Sequence, residues 1–278
     1  MGAYHIESEE DLSLIEKYPE SEIHLDNNIE VENHEWSGDE VFSGEIYGNN
    51  NKVSINGSIN SFIPFLKDAV VKDLVLNTKI SITETKNAVG GLTRKAEKSK
   101  IENCKVTGKI RGRFNLPVVG GIVGRCKDSL VCNSSCSAKI TRTTTIGGIV
   151  GKVDEDGDSK IENCTFAGTI YNATSVGSII GNNGGAVNNC SSKGSIHGLN
   201  PGGLVARNNG IIKNSYFFGK SKKSNPTLAH FNFGVIKNCR WDNRYNNPVE
   251  KNEGGECKNI ESSPSEEEAK KSILISSI

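Results

Sequence analysis

Five histidines (His5, His24, His34, His197 and His230) are scattered so widely that none forms His-Glu-x-x-His or another close pair. A zinc-peptidase helix is thereby excluded. No Gly-x-Ser-x-Gly elbow occurs either, so a serine triad has no nucleophile in its usual setting. Eight cysteines are present: Cys104, Cys126, Cys132, Cys136, Cys164, Cys190, Cys239 and Cys257. Such a count would point to a disulfide framework in a small secreted domain, but in a 278-residue chain with no recognisable export leader the cysteines read as mostly free thiols. Cys132 and Cys136 are spaced as two zinc ligands can be, yet no CxxC pair and no nearby histidine completes a set of four. Asp154, Asp156 and Asp158 form the densest acidic cluster, but the loop lacks the downstream bidentate Glu of an EF-hand and reads as a solvated turn. No catalytic residue, metal ligand or cofactor is assigned.

The elements that would position any site come from internal repetition. One phrase recurs at 89 to 92, 119 to 124, 146 to 151, 176 to 181 and 201 to 206, typified by Val-Gly-Gly-Ile-Val-Gly, with successive copies starting 30, 27, 30 and 25 residues apart. A second lies between copies, typified by Ile-Glu-Asn-Cys at 101 to 104 and 161 to 164 and followed by Gly-x-Ile, as in Gly108-Lys109-Ile110. Short β-branched stretches bounded by Gly, Asn and Ser read as strands, two or three per repeat. A repeat this short cannot bury its apolar face alone, so the repeats must stack as coils around a shared core. The expected fold is all-β: a right-handed parallel β-helix, or β-solenoid, of roughly eight or nine coils with short capping helices at its ends.

Stacking turns residues into columns. The small residue at 104, 134, 164, 190, 215 and 239 is Cys or Ser and is expected to point inward. The preceding column is Asn at 103, 133, 163, 189, 214 and 238, suited to a turn where its amide bonds to backbone or to the next Asn. The Gly pair implies positive φ or close approach of neighbouring coils, with Ser178 replacing the second Gly once. Ser8 to Asp11 reads as a helix start with Leu12 and Ile15 on one face; Ser263-Pro264-Ser265-Glu266 reads as a second, with Ser263 at the N-cap. The boundaries are an N-terminal cap with degenerate coils over 1–85, the regular solenoid over 86–245, and a polar C-terminal segment with a terminal helix over 246–278.

The position just after each Gly pair is occupied by Lys95, Arg125, Lys152, Asn182 and Arg207. Four stacked cations repel one another unless solvated or met by an anion. Lys109, Arg111, Arg113 and Arg142 add positive charge elsewhere on the coil. Lys95, Arg125, Lys152, Arg207, Arg111 and Arg113 are therefore the candidate ligand-binding residues, and the expected partner is an acidic glycan or an acidic protein surface. The bland alternative is a solubilising row at a turn. Lys plus Arg equal Asp plus Glu at 33 each, no nucleic-acid module is present, and aromatics do not interleave with the cations, so nucleic-acid binding is not expected. No apolar run of about 18 residues exists to enter a membrane. Gly2 is not followed by the Ser or Thr that myristoylation needs, since Ile6 stands there.

The linked phrases Gly-Gly-Ile-Val-Gly and Ile-Glu-Asn-Cys-x-x-x-Gly-x-Ile resemble the GLUG motif, over roughly residues 4 to 250. That resemblance implies a β-solenoid module of bacterial or archaeal surface proteins, such as adhesin-like chains and some immunoglobulin A peptidases, where the repeats are accessory. It implies a non-catalytic binding or adhesion module, secreted or at the cell surface; a cytoplasmic location follows if Met1 is the native start. The alternatives are a carbohydrate-active β-helix enzyme, lyase or hydrolase, on an acidic polysaccharide, and an intracellular protein-interaction scaffold.

Overall fold

A computed structural model describes residues 2–276 apart from 33, 37, 39, 57–60, 83–87, 113–117, 222–226, 243 and 245–246, with side chains given to residue 271. Among the described residues the chain is a parallel β-solenoid. One wall is an 11-stranded sheet in which every neighbouring pair is parallel. It begins at Ala3–Ile6 and ends at Glu256–Lys258. The entry strands Ala3–Ile6 and Glu22–Leu25 join this wall, so it extends beyond the regular repeats. The remaining walls merge into a 24-stranded network that bends around the core.

The first regular coils have four short strands rather than two or three, whereas farther along strands fuse across the coil boundary, as in Lys139–Gly147 and Ser195–Asn208. In the first regular coil they are Val89–Gly90, Thr93–Glu97, Lys100–Glu102 and Lys105–Arg111. Corners separate them. Asn103, Asn133, Asn163, Asn189, Asn214 and Asn238 adopt φ between 51° and 53°, the left-handed region, which Asn tolerates better than most residues. At each corner the Asn backbone N–H donates to a carbonyl one coil on, as from Asn103 to Cys132 and from Asn133 to Glu162. The side chains continue the ladder: Asn163 donates to Asn133 at 3.1 Å, Asn189 to Asn163 at 2.6 Å and Asn238 to Asn214 at 3.3 Å. The Asn column is thus a structural corner in which each amide bonds along the stack.

The next column points inward as expected. Ser134 Oγ accepts from the Cys104 N–H at 3.0 Å and donates to the Cys132 carbonyl at 2.7 Å. Where Cys stands instead, its sulfur lies against the equivalent carbonyl two residues back, at 3.3 Å in both Cys104 and Cys164. A short side chain that can cap this carbonyl suits the column, which accounts for the exchange of Ser and Cys.

Close approach, not positive φ, explains the Gly pair, because no Gly of these phrases has φ in the left-handed region. A Cβ on Gly121 would lie 2.0 Å from the Gly148 carbonyl oxygen and 2.5 Å from the Cys136 sulfur. One on Gly148 would meet the Phe166 ring at 2.5 Å, and one on Gly203 the Phe217 ring at 2.6 Å. The second Gly therefore leaves room for the core residue opposite. In the coil carrying Ser178 that core residue is Ser192 rather than a phenyl ring, and both serines are fully buried. Ser178 uses its extra atom to donate a hydrogen bond to the Gly203 carbonyl.

Both helices flank the solenoid. The entry helix comprises a 3-10 turn, Glu10–Leu12, and Ser13–Lys17, and buries Leu12 and Ile15 in the common core. Only half of the expected capping box forms: the Asp11 carboxylate accepts from the Ser8 backbone N–H at 3.0 Å, while the Ser8 hydroxyl donates to that carboxylate instead of accepting from the helix. The terminal helix spans Glu266–Ser276, and its N-cap is Ser265, whose Oγ accepts from the Glu268 N–H at 3.2 Å. Ser263 cannot fill that role because it ends the strand Glu261–Ser263. The terminal helix packs on the side of the final coils, with Ala269 against Tyr216 and Phe218. Among the described residues no helix is long and apolar enough to cross a membrane.

If the Gly pair is a space constraint, Gly121→Ala should destabilise the protein by about 1–3 kcal/mol through overpacking, measured by urea unfolding. Ser178→Gly should change stability by less than about 1 kcal/mol, since it removes a single hydrogen bond without crowding the core.

Candidate functional site

The cationic column forms in register. Lys95 pairs with Arg125, Arg125 with Lys152, Lys152 with Asn182 and Asn182 with Arg207, and the column continues through Phe231 to Lys251. At its other end Phe65 underlies Lys95. Each cation, however, meets a partner within the chain. Lys95 Nζ lies 2.9 Å from Glu97 and 4.3 Å from the centre of the Phe65 ring. Arg125 Nε bonds both oxygens of Asp154, at 2.9 and 2.8 Å, and Lys152 Nζ lies 3.6 Å from the same carboxylate. Asp154 is only 4% exposed, so two cations of adjacent coils share one largely buried anion. Arg207 stacks on Phe233, with its guanidinium carbon 4.5 Å from the ring centre, and donates to Asn209 at 3.3 Å.

The acidic loop after Val153 is the source of this neutralisation. Asp156 pairs with Lys127 at 2.6 Å, and that contact holds its carboxyl below the usual range. Asp158 faces Lys160 at 3.1 Å. The three carboxylates of the cluster thus diverge toward different cations instead of converging on one point. Cys132 and Cys136 diverge as well: Cys136 lies in the core, whereas Cys132 stands in the outer column between Glu102 and Glu162. Burial pushes the Cys104, Cys126, Cys136 and Cys239 thiols up to about 12, which keeps them protonated and poor nucleophiles. All eight cysteines are unpaired.

An open hollow of about 250 Å³ lies on the column where Asn182 interrupts the cations. It is lined by Lys152, Glu155, Asn182 and Arg207 with Asn209, above Val153 and Asn183. Glu155 accepts from Asn209 Nδ2 at 2.5 Å, so the rim is already tied together. Rigid strands supply Lys152, Asn182 and Arg207, and the acidic loop supplies Glu155. Beneath it runs an amide ladder: Asn183 donates to Asn208 at 2.8 Å, Asn208 to Asn232 at 2.8 Å and Asn232 to Asn252 at 2.9 Å. The sequence signal for this ladder was the recurrence of Asn two residues before Gly at 183, 208 and 232.

Of the six candidate residues, Lys152 and Arg207 meet at the hollow, while Lys95 and Arg125 lie farther along the same column. Arg111 lies on another strand, paired in register with Ser81 and Thr141, so it belongs to a separate surface. Arg113 falls outside the described residues.

The fold and its columns define a parallel β-solenoid repeat protein. More particularly, the chain carries the GLUG motif, matched over residues 143–171, which takes in a Gly pair, the acidic loop and one Asn-Cys corner. Two solved structures share the architecture. An IgA1 protease aligns with a TM-score of 0.57 and 18% identity over 93% of this chain but only 21% of its own length. A candidate immunoglobulin A1 protease from Bacteroides ovatus aligns with a TM-score of 0.60 and 18% identity over 98% of this chain and 86% of its own. At these identities the likeness is one of fold. No curated protein matches the sequence.

Asp154→Asn should unfold at lower denaturant, losing about 1–2 kcal/mol because Arg125 and Lys152 would lose their shared counter-charge. Disulfide-exchange labelling of the native protein near pH 8 should modify Cys257, the most exposed of the cysteines, before the others, whereas the denatured chain should yield all eight.

Proposed function

We propose that this chain is a non-catalytic binding module that recognises a glycan or protein surface along the walls of its solenoid. The observation that carries this reading is the hollow at Asn182, where a cation from each flanking coil, three amides and one carboxylate meet on a rigid lattice. Such a mixture supplies hydrogen-bond donors and acceptors for hydroxyls. Glu155 is the one carboxylate lining it, and it already accepts from Asn209. Glycoside hydrolysis ordinarily needs two carboxylates flanking the bond, so recognition fits this composition better than cleavage. The likeness in fold to immunoglobulin A1 protease chains supports a role as a solenoid module, since the aligned part is about a fifth of one of them.

Lys152→Ala and Arg207→Ala should each weaken retention on the best-bound members of an immobilised glycan panel by about tenfold, as expected when a central contact is truncated. Unchanged retention in both variants, with intact folding by circular dichroism, removes the hollow from the function.

A further inference from the structure

A second surface carries charge of a different kind. Residues 75–81, 105–111, 135–141 and 165–171 stack in register, and Lys79, Lys109 and Lys139 stand one above another in three consecutive coils. All three are exposed, as is Arg111 on the same strand as Lys109. None of these four segments contains an Asp or a Glu. Among the described residues no carboxylate pairs with Lys79, Lys109, Lys139 or Arg111, in contrast to the Lys95, Arg125 and Lys152 column with Glu97 and Asp154 at hand. Lys139 has only a ring partner, with its ammonium 5.0 Å from the centre of Tyr171.

Neighbouring ammonium groups at the coil spacing of about 4.8 Å repel by roughly 1 kcal/mol per pair even in bulk water. An external anion relieves that repulsion. The same wall already holds one carboxylate: Glu266 of the terminal helix lies 2.8 Å from Lys193 and accepts from the Tyr216 hydroxyl at 3.4 Å. Lys193 continues the row of Asn77, Thr107 and Ser137 beside the lysines, each following its coil by the same backbone register.

We propose that Lys79, Lys109 and Lys139, with Arg111 beside them, form a binding track for a linear anionic polysaccharide. Identical charges at a fixed interval match a ligand whose own charges repeat, which a folded protein surface does not provide. The flanking Asn77, Thr107 and Ser137 add hydrogen-bonding groups suited to sugar hydroxyls. Single-stranded nucleic acid fits less well, because these segments present one outward ring, Tyr171, and the Lys139 ammonium already lies over one of its faces. This track is separate from the hollow, so the two can fail independently.

The test measures affinity for polygalacturonate and for a sulfated glycosaminoglycan, with dextran and duplex DNA as comparison ligands. The wild-type protein should bind the acidic polysaccharides in a salt-sensitive manner and leave dextran unbound. The triple variant Lys79→Gln/Lys109→Gln/Lys139→Gln should lose about tenfold in affinity, with Lys109→Gln alone losing part of it. Lys127→Gln/Lys160→Gln should stay within about twofold, because Asp156 and Asp158 already meet those charges. Equal binding by the triple variant, no wild-type binding to either polysaccharide, or tighter binding to DNA than to both overturns the track. Loss of glycan-panel retention in the Lys152 and Arg207 variants with an unchanged polygalacturonate affinity bears on the hollow alone.

Discussion

Parallel, in-register stacking is the constraint on which every other feature of this molecule depends. Each residue lies over its counterpart one coil away at about 4.8 Å, so a side chain must be compatible with a copy of itself or with a defined substitute. Asn solves this by donating its amide to the next Asn along the corner ladder. Gly solves it by having no side chain where the backbone of the next coil comes within contact distance. Lys and Arg have no such solution of their own, and each charged column needs an outside answer.

The core shows the same logic in volume. Along one inward column the residues are Leu76, Val106, Cys136, Phe166, Ser192 and Phe217, a sequence of sizes with no simple trend. The glycines compensate locally: Gly168 and Gly194 lie against the Phe166 ring, and Gly219 lies against Phe217. A large core residue is therefore tolerated only where the facing coils supply empty positions, and Ser178 appears opposite the small Ser192. Dense packing is reached by matching neighbours and not by repeating one residue.

Columns whose members resemble one another were legible in the sequence. The Gly pair, the Asn corner, the inward Cys or Ser and the row from Lys95 to Arg207 all fall where their spacing placed them. Interactions between unlike columns were not. Arg125 reaches Asp154, 29 residues on, and only three-dimensional register shows that the acidic loop of one coil neutralises the cation of another. The amide ladder from Asn183 to Asn252 was hidden for a related reason, since the same column is Ala96, Cys126 and Val153 in earlier coils. Strand count was underestimated because left-handed corners, including Lys98 and Asp128, cut one coil into more pieces than hydrophobic alternation suggests. The terminal cap shifted from Ser263 to Ser265 because the last strand runs on through Ser263.

A formal charge of zero conceals two opposite arrangements. On one wall the acids sit beside the bases, and the column through Arg125 and Lys152 contributes little outward field because Asp154 lies under it. On the other wall no carboxylate among the described residues pairs with Lys79, Lys109 or Lys139, so their field extends into solvent. Whole-molecule charge therefore says nothing about local recognition in a solenoid, whose length separates its walls by side rather than by distance along the chain. The row that looked like the ligand site in sequence owes much of its charge to structure, and the lysines that appeared incidental are the ones left facing outward.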